Sequence, residues 1–133
     1  MSSIFSKIIA GEIPSYKIAE NDRFYAFLDI FPLVEGHTLV VPKKETDKLF
    51  DVSDAELSEL LLFAKPIAKA MEAVFNCDRV GISVVGLEVP HAHVHLVPTN
   101  SADDLNFTRP KLKLTEEQMK AAQQKILDQL NKQ

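Results

Sequence analysis

In Pro90-His91-Ala92-His93-Val94-His95-Leu96-Val97-Pro98, three of the chain's four histidines recur at every second position. Read as a strand over residues 90–98, the segment turns His91, His93 and His95 to one face and Ala92, Val94 and Leu96 to the other. One face is a row of imidazoles and the other is core. The sheet that this strand requires is found by reading outward from it in both directions.

Upstream, Val80 to Val85 is a branched apolar run, and Gly86-Leu87-Glu88-Val89-Pro90 connects it to the histidine strand as a hairpin. His37 to Val41, ended by Pro42, reads as a further strand. Tyr16 to Glu20 and Phe24 to Ile30 flank the turn pair Asn21-Asp22 and read as another hairpin. Between the two groups of strands, Ser53-Asp54-Ala55-Glu56 has capping-box spacing. Leu57, Leu60, Leu61, Ala64, Ile67, Ala68, Met71 and Phe75 follow at intervals of three and four. This is the main helix, and Pro66 inside it is expected to kink it or split it near Ala64. Leu62, Phe63 and Val74 widen its apolar stripe, as contact with a second subunit or burial under loops would require.

Ile4, Phe5, Ile8 and Ile9 have helical spacing and are closed by Gly11 and Pro14. Past Pro98, residues 99–114 read as irregular, and Thr115-Glu116-Glu117-Gln118 opens a C-terminal helix through Met119, Ala122, Ile126, Leu127 and Leu130. The expected fold is α+β: an antiparallel sheet of about five strands, a main helix, and N- and C-terminal helices. A chain of 133 residues is read as one domain over 1–133, with 99–133 a C-terminal extension ending in a helix.

Hydrophobic residues make up 46% and charged residues 26%, the balance of a globular domain. The formal net charge of -4 speaks against a nucleic-acid partner, which needs a broad basic face. The longest apolar stretch, Leu60 to Ala64, is far too short for a membrane span, and a cytoplasmic location is expected. Cys77 is alone and reads as a packed thiol.

Three chemistries compete for the histidine row. A zinc site needs a ligand from elsewhere, and His37 is the candidate. Burial of three imidazoles as plain core incurs polar desolvation three times over. Nucleophilic catalysis explains the spacing: the middle imidazole attacks phosphorus while its neighbours bind the phosphoryl oxygens and protonate the leaving group.

Beyond the chemistry, His91-Ala92-His93-Val94-His95-Leu96-Val97 resembles the signature of the histidine triad (HIT) superfamily of nucleotide hydrolases and transferases. Ile4-Phe5-Ser6-Lys7-Ile8-Ile9 with Gly11-Glu12-Ile13-Pro14, Ala26-Phe27-Leu28-Asp29-Ile30 with Pro32, and Gly36-His37-Thr38-Leu39-Val40-Val41-Pro42-Lys43 resemble further segments of that family, in family order. The resemblance covers roughly Ser3 to Pro98. It implies a homodimer that binds a purine nucleotide or related small molecule, with no cofactor and no metal needed for chemistry. By position it implies His93 as nucleophile, forming a nucleotidyl-histidine that water cleaves. His95 is implied to bind the phosphoryl group and assist the leaving group, His91 to support the network, and His37 to stand beside the triad. Ile4, Phe5, Ile8, Phe27 and Ile30 match the apolar base pocket, and Asp29 matches the carboxylate for the ribose hydroxyls.

One departure stands out. Before the first histidine the family carries an asparagine, a glycine-rich loop, a glutamine and a hydroxyl donor, and of these only Gly86 is present. Leu87 and Glu88 occupy the donor positions, and a carboxylate accepts hydrogen bonds but repels phosphate. The expected function is hydrolysis of a nucleoside 5'-phosphoramidate, ester or anhydride. The alternatives are a nucleotide-binding or sensing protein with weak or no catalysis, and a histidine-ligated metal protein.

Overall fold

The computed structural model describes residues 2–133. Its five-stranded antiparallel sheet has the order β1-β2-β3-β5-β4, built from β1 (Lys17–Glu20), β2 (Phe24–Leu28), β3 (Thr38–Pro42), β4 (Arg79–Ser83) and β5 (Val94–Thr99). Helix α1 is Ile4–Ile9, α2 is Asp54–Val74 and α3 is Glu116–Lys132. The architecture is α+β, as the alternation of the strands and the spacing of the helices require.

Alternation divides the sheet's side chains between two layers. Phe24, Ala26 and Leu28 of β2, Val40 of β3, and Val94 and Leu96 of β5 pack against Leu60, Ala64, Ile67 and Met71 of α2 and Met119, Ala122 and Ile126 of α3. Each large side chain buried there contributes on the order of 2 kcal/mol. Tyr25, Phe27, Leu39 and Val41, from the intervening positions, form a second cluster with Phe5 and Ile8 of α1. The main core therefore lies under α2 and α3, while the opposite face is covered by α1 alone among the helices.

Helix starts follow their caps. Ser53 accepts from the Glu56 amide at the head of α2, and at α3 both halves of the Thr115–Gln118 capping box are made. Of the kink or split expected at Pro66, the split does not occur, and α2 runs through Pro66 as one helix. Pro66 is exposed, and so is Leu62 four residues back, so the carbonyl deprived of its donor lies on the wet side of the helix.

The histidine strand is shorter than its alternation suggests. Pairing with β3 begins only at Val94 opposite Val40, and residues 90–93 lie outside the ladder. The backbone donors there are spent on loops: the His91 amide bonds to the Val89 carbonyl and the Ala92 amide to the Thr46 carbonyl. Likewise β4 ends at Ser83, leaving Val84 and Val85 exposed in a longer connection than the five residues expected. The segment after Pro98 is mostly irregular, with one 3-10 turn at Ala102–Leu105.

Candidate active site

His37 stands one residue ahead of β3, after Gly36, which has a φ of 91°. A Cβ at Gly36 would also press into the Phe75 ring, so both the backbone conformation and the space demand glycine. This tight entry turns the His37 ring toward β5, where its Nε2 lies 2.9 Å from Nδ1 of His95.

Hydrogen bonds fix which ring nitrogens carry protons. The Leu33 amide donates to His37 Nδ1 at 3.0 Å, so Nδ1 holds a lone pair and the neutral ring carries its proton on Nε2. That Nε2–H donates to His95 Nδ1, which leaves the proton of His95 on its own Nε2. His93 has the opposite tautomer, because its Nδ1 donates to the His91 carbonyl at 2.8 Å and its Nε2 is then a free lone pair. His91 is again distinct: Nε2 donates to the Pro42 carbonyl at 2.7 Å, and Nδ1 accepts from the Ser3 hydroxyl at 2.7 Å.

Neither His93 Nε2 nor His95 Nε2 has a protein partner, and among the described residues no buried side-chain nitrogen or oxygen lacks one. Both atoms are therefore open to solvent. Their rings lie 4.9 Å apart. Side by side, an unprotonated and a protonated Nε2 offer a nucleophile and a hydrogen-bond donor to the same small anion.

Burial pushes all three of these imidazoles toward neutrality. His37 falls to about 3 and His95 to about 4, with desolvation as the leading cause and neighbouring positive charge adding to it. His93 is also lowered, chiefly by desolvation, against the opposing effects of the His91 carbonyl and the Glu88 charge. Glu88 itself is exposed and makes no hydrogen bond to a triad histidine.

Asp29 follows β2 and accepts from the Phe31 amide at 2.9 Å. Burial raises its carboxyl to about 6. Its Oδ2 is 3.7 Å from His37 Nε2, but this is no ion pair, because His37 is neutral wherever Asp29 is ionised. Asp29, His37 and His95 bring three possible metal-ligand atoms within 4.8 Å of one another. A metal on His37 Nε2 would force the proton onto Nδ1, against the Leu33 N–H. The chain is better built to pass hydrogen bonds than to ligate a cation.

The remaining expected positions divide. Phe5 packs edge-on against His93 at 4.9 Å and against Phe27 at 5.6 Å, and Ile8 joins them in the buried second cluster. Ile4 and Ile30 are instead half-exposed, at 50% and 58%. Leu87 is 88% exposed in the connection before the triad.

Three contributors were not read from the sequence. Ser3 is the N-cap of α1, and the signal for it was a serine directly ahead of the Ile4-Phe5 start of the helical pattern. Glu45 accepts from the Ser3 amide and the Ser6 hydroxyl, both at 2.7 Å, and these donors hold its carboxyl at about 2. Phe107, from the segment after the triad, packs edge-on against His95 at 4.6 Å and reaches His37 at 6.2 Å. Arg109 and Leu112 tie that segment to the carbonyls of Leu33 and Pro32. Nothing local in the sequence marks Phe107, because its ring partners are His95, twelve residues back, and His37, seventy residues back, and the ties that hold its segment in place run to Leu33 and Pro32.

The model of the HIT domain family matches residues 10–102. The chain is 45% identical over 96 residues to adenosine 5'-monophosphoramidase HNT1 of Saccharomyces cerevisiae, covering 71% of this chain and 61% of the yeast protein. It is 34% identical over 128 residues to adenosine 5'-monophosphoramidase hnt1 of Schizosaccharomyces pombe, covering 95% and 96%. Among solved structures, a Hit-like protein involved in cell-cycle regulation from Bartonella henselae superposes with a TM-score of 0.82 at 30% identity, covering 96% of each chain. With the fold, the order of the motifs and these likenesses in agreement, the chain belongs to the histidine triad family and is similar to its nucleotide hydrolases.

Proposed function

We propose that the protein hydrolyses a nucleoside 5'-phosphoramidate, with adenosine phosphoramidate as the first substrate to test, through a nucleotidyl intermediate on His93. The observation that carries this reading is the tautomer pattern: His93 Nε2 is an open lone pair and His95 Nε2 an open donor. Attack by His93 Nε2 forms a P–N bond and breaks the bond to the amine, which leaves with the electron pair and takes up one proton. Water then attacks phosphorus, releases the nucleoside monophosphate and returns one proton. Throughout, His93 keeps its Nδ1–H on the His91 carbonyl, which stabilises the positive charge that the ring carries as an adduct. His95 donates to a phosphoryl oxygen and assists departure of the amine.

On this reading Phe5, Ile8 and Phe27 form the inner wall for the base, Ile4 and Ile30 its exposed lip, and Asp29 accepts the ribose hydroxyls. A homodimer is part of the proposal. The free edge of β4 exposes Ile82, and Val84, Val85, Leu61 and Leu62 are exposed on the neighbouring connection and on α2. An uncovered edge strand with apolar side chains is a pairing surface.

A second reading is favoured by Leu87 and Glu88, which supply no side-chain donor beside the triad. It is a nucleotide-binding or sensing protein with slow chemistry. Hydrolysis of adenosine 5'-phosphoramidate, measured beside AMP affinity, separates the two. The hydrolase reading expects turnover that His93→Ala abolishes and an acid-labile adduct on His93 in quenched samples. AMP binding without either result would replace it with the sensing reading.

A further inference from the structure

We propose that Ser3 is a positioning residue for the nucleophile, acting through His91; the inference rests on the assignment of His93 as nucleophile. Ser3 is buried, as is His91, yet both lie far from each other in sequence and are joined by a 2.7 Å bond. In the neutral imidazole the direction of that bond is forced. The Pro42 carbonyl accepts only, so His91 carries its proton on Nε2 and its Nδ1 must accept. The Ser3 hydroxyl therefore spends its single proton on His91, while its oxygen accepts from the Ser6 amide at 3.0 Å. The Ser6 hydroxyl, 3.3 Å from that of Ser3, donates instead to Glu45.

The His91 ring is thus gripped at both nitrogens, by Ser3 and by Pro42. Its own carbonyl is the acceptor for His93 Nδ1, the bond that leaves Nε2 free to attack. Residues 90–93 have no sheet ladder to hold them, so the grip on the His91 ring replaces the ladder as the support of that carbonyl. Glu45 completes the clamp by taking the Ser3 amide and the Ser6 hydroxyl, which anchors the start of α1 beside the strand carrying Pro42. Phe5, on the same helix, meets the rings of both His91 and His93, so one short segment sets the pocket wall and the tautomer together.

Removing the hydroxyl leaves a buried acceptor unpaired and frees the His91 carbonyl to move. A lost buried hydrogen bond of this kind corresponds to about a tenfold change. The test compares wild type, Ser3→Ala, Ser3→Thr and Ser6→Ala in two ways: steady-state hydrolysis of adenosine 5'-phosphoramidate and the side-chain 15N spectrum of the histidines. Ser3→Ala is expected to lower kcat about tenfold with little change in KM. It is also expected to shift the His91 Nδ1 resonance toward that of an unbonded lone pair. Ser3→Thr is expected to restore both, and Ser6→Ala to leave the Nδ1 resonance in place. Unchanged kcat in Ser3→Ala, or failure of Ser3→Thr to restore it, overturns the proposal. If the wild-type protein shows no turnover, the hydrolase reading fails on its own, and the spectra still decide: an unmoved His91 Nδ1 resonance in Ser3→Ala refutes the grip.

Discussion

Replacing Asp29 with Asn should make this protein more stable at neutral pH and steepen its loss of stability in acid, because Asp29 and His37 titrate with opposite signs. The folded pKa of His37 is about 3 against an ordinary 6.5, so the stability it confers is complete above pH 6.5 and is lost as pH falls toward 3. At pH 4.5 two of those pKa units have been crossed, a loss of about 3 kcal/mol. Asp29 works the other way. Its folded pKa is about 6 against 3.8, so the cost of burying a carboxylate is present above pH 6 and is relieved as pH falls toward 3.8. At pH 4.5 that relief amounts to about 2 kcal/mol.

In wild type the two nearly cancel across this window, and the residual loss from the pair is about 1 kcal/mol. Asp29→Asn removes the opposing group, so the pair's loss between pH 7.5 and 4.5 grows to about 3 kcal/mol. His37→Asn keeps an acceptor for the Leu33 amide but cannot titrate, so its pair gains about 2 kcal/mol instead. Urea unfolding of the three proteins at pH 7.5 and pH 4.5 reads these differences directly, with the remaining titrating groups common to all. Equal changes with pH in all three would show that neither buried group titrates away from its ordinary value, and the tautomer argument built on a neutral His37 would fall with it.

Turnover should fall on acidification with a midpoint below 6.5, since burial lowers the His93 pKa; a pH profile of kcat/KM with its acid limb at or above 6.5 would contradict a buried neutral nucleophile. Glu88→Ser should raise the rate about fivefold, as relief of about 1 kcal/mol of like-charge repulsion toward a phosphate in high-dielectric surroundings would give, and an unchanged or lower rate would mean that Glu88 does not hinder the site. Ile82→Lys on the β4 edge should convert a species of twice the 14.9 kDa chain mass into one of single mass in sedimentation; a wild-type protein that already sediments at 14.9 kDa rejects the dimer. Ile126→Ala in α3 should destabilise by about 2–5 kcal/mol in thermal or urea unfolding, since Ile126 is fully buried against α2, and a loss below 1 kcal/mol would mean that α3 is not integral to the core.

What the sequence determined by itself is the part governed by local chemistry. Period-two spacing of the histidines assigns the faces of β5, aromatic and branched runs bounded by turn residues mark β2 and β3, three-and-four spacing with Ser53 and Thr115 caps places α2 and α3, and together these state the α+β fold. The candidate site residues could also be named from the sequence, because the segments resembling the family are contiguous short motifs, and the structure brings His37, His93, His95 and Asp29 together. The strand over residues 90–98 was not legible, since alternation continues through residues 90–93 while the ladder stops where their amides find loop carbonyls. The split expected at Pro66 does not occur, because whether a lost donor ends a helix depends on which side of the helix is wet.

Only the tertiary structure decided which nitrogen of each histidine is free. All four imidazoles are alike in sequence, and what separates them is a partner brought from elsewhere: the Leu33 amide for His37, His37 for His95, a carbonyl of the loop for His93, and Ser3 with the Pro42 carbonyl for His91. Phe107 is the same case, reaching His95 from a segment with no motif of its own. A tautomer is set by the donor or acceptor that meets the ring in space, and that meeting depends on the register of strands and loops far apart in the chain.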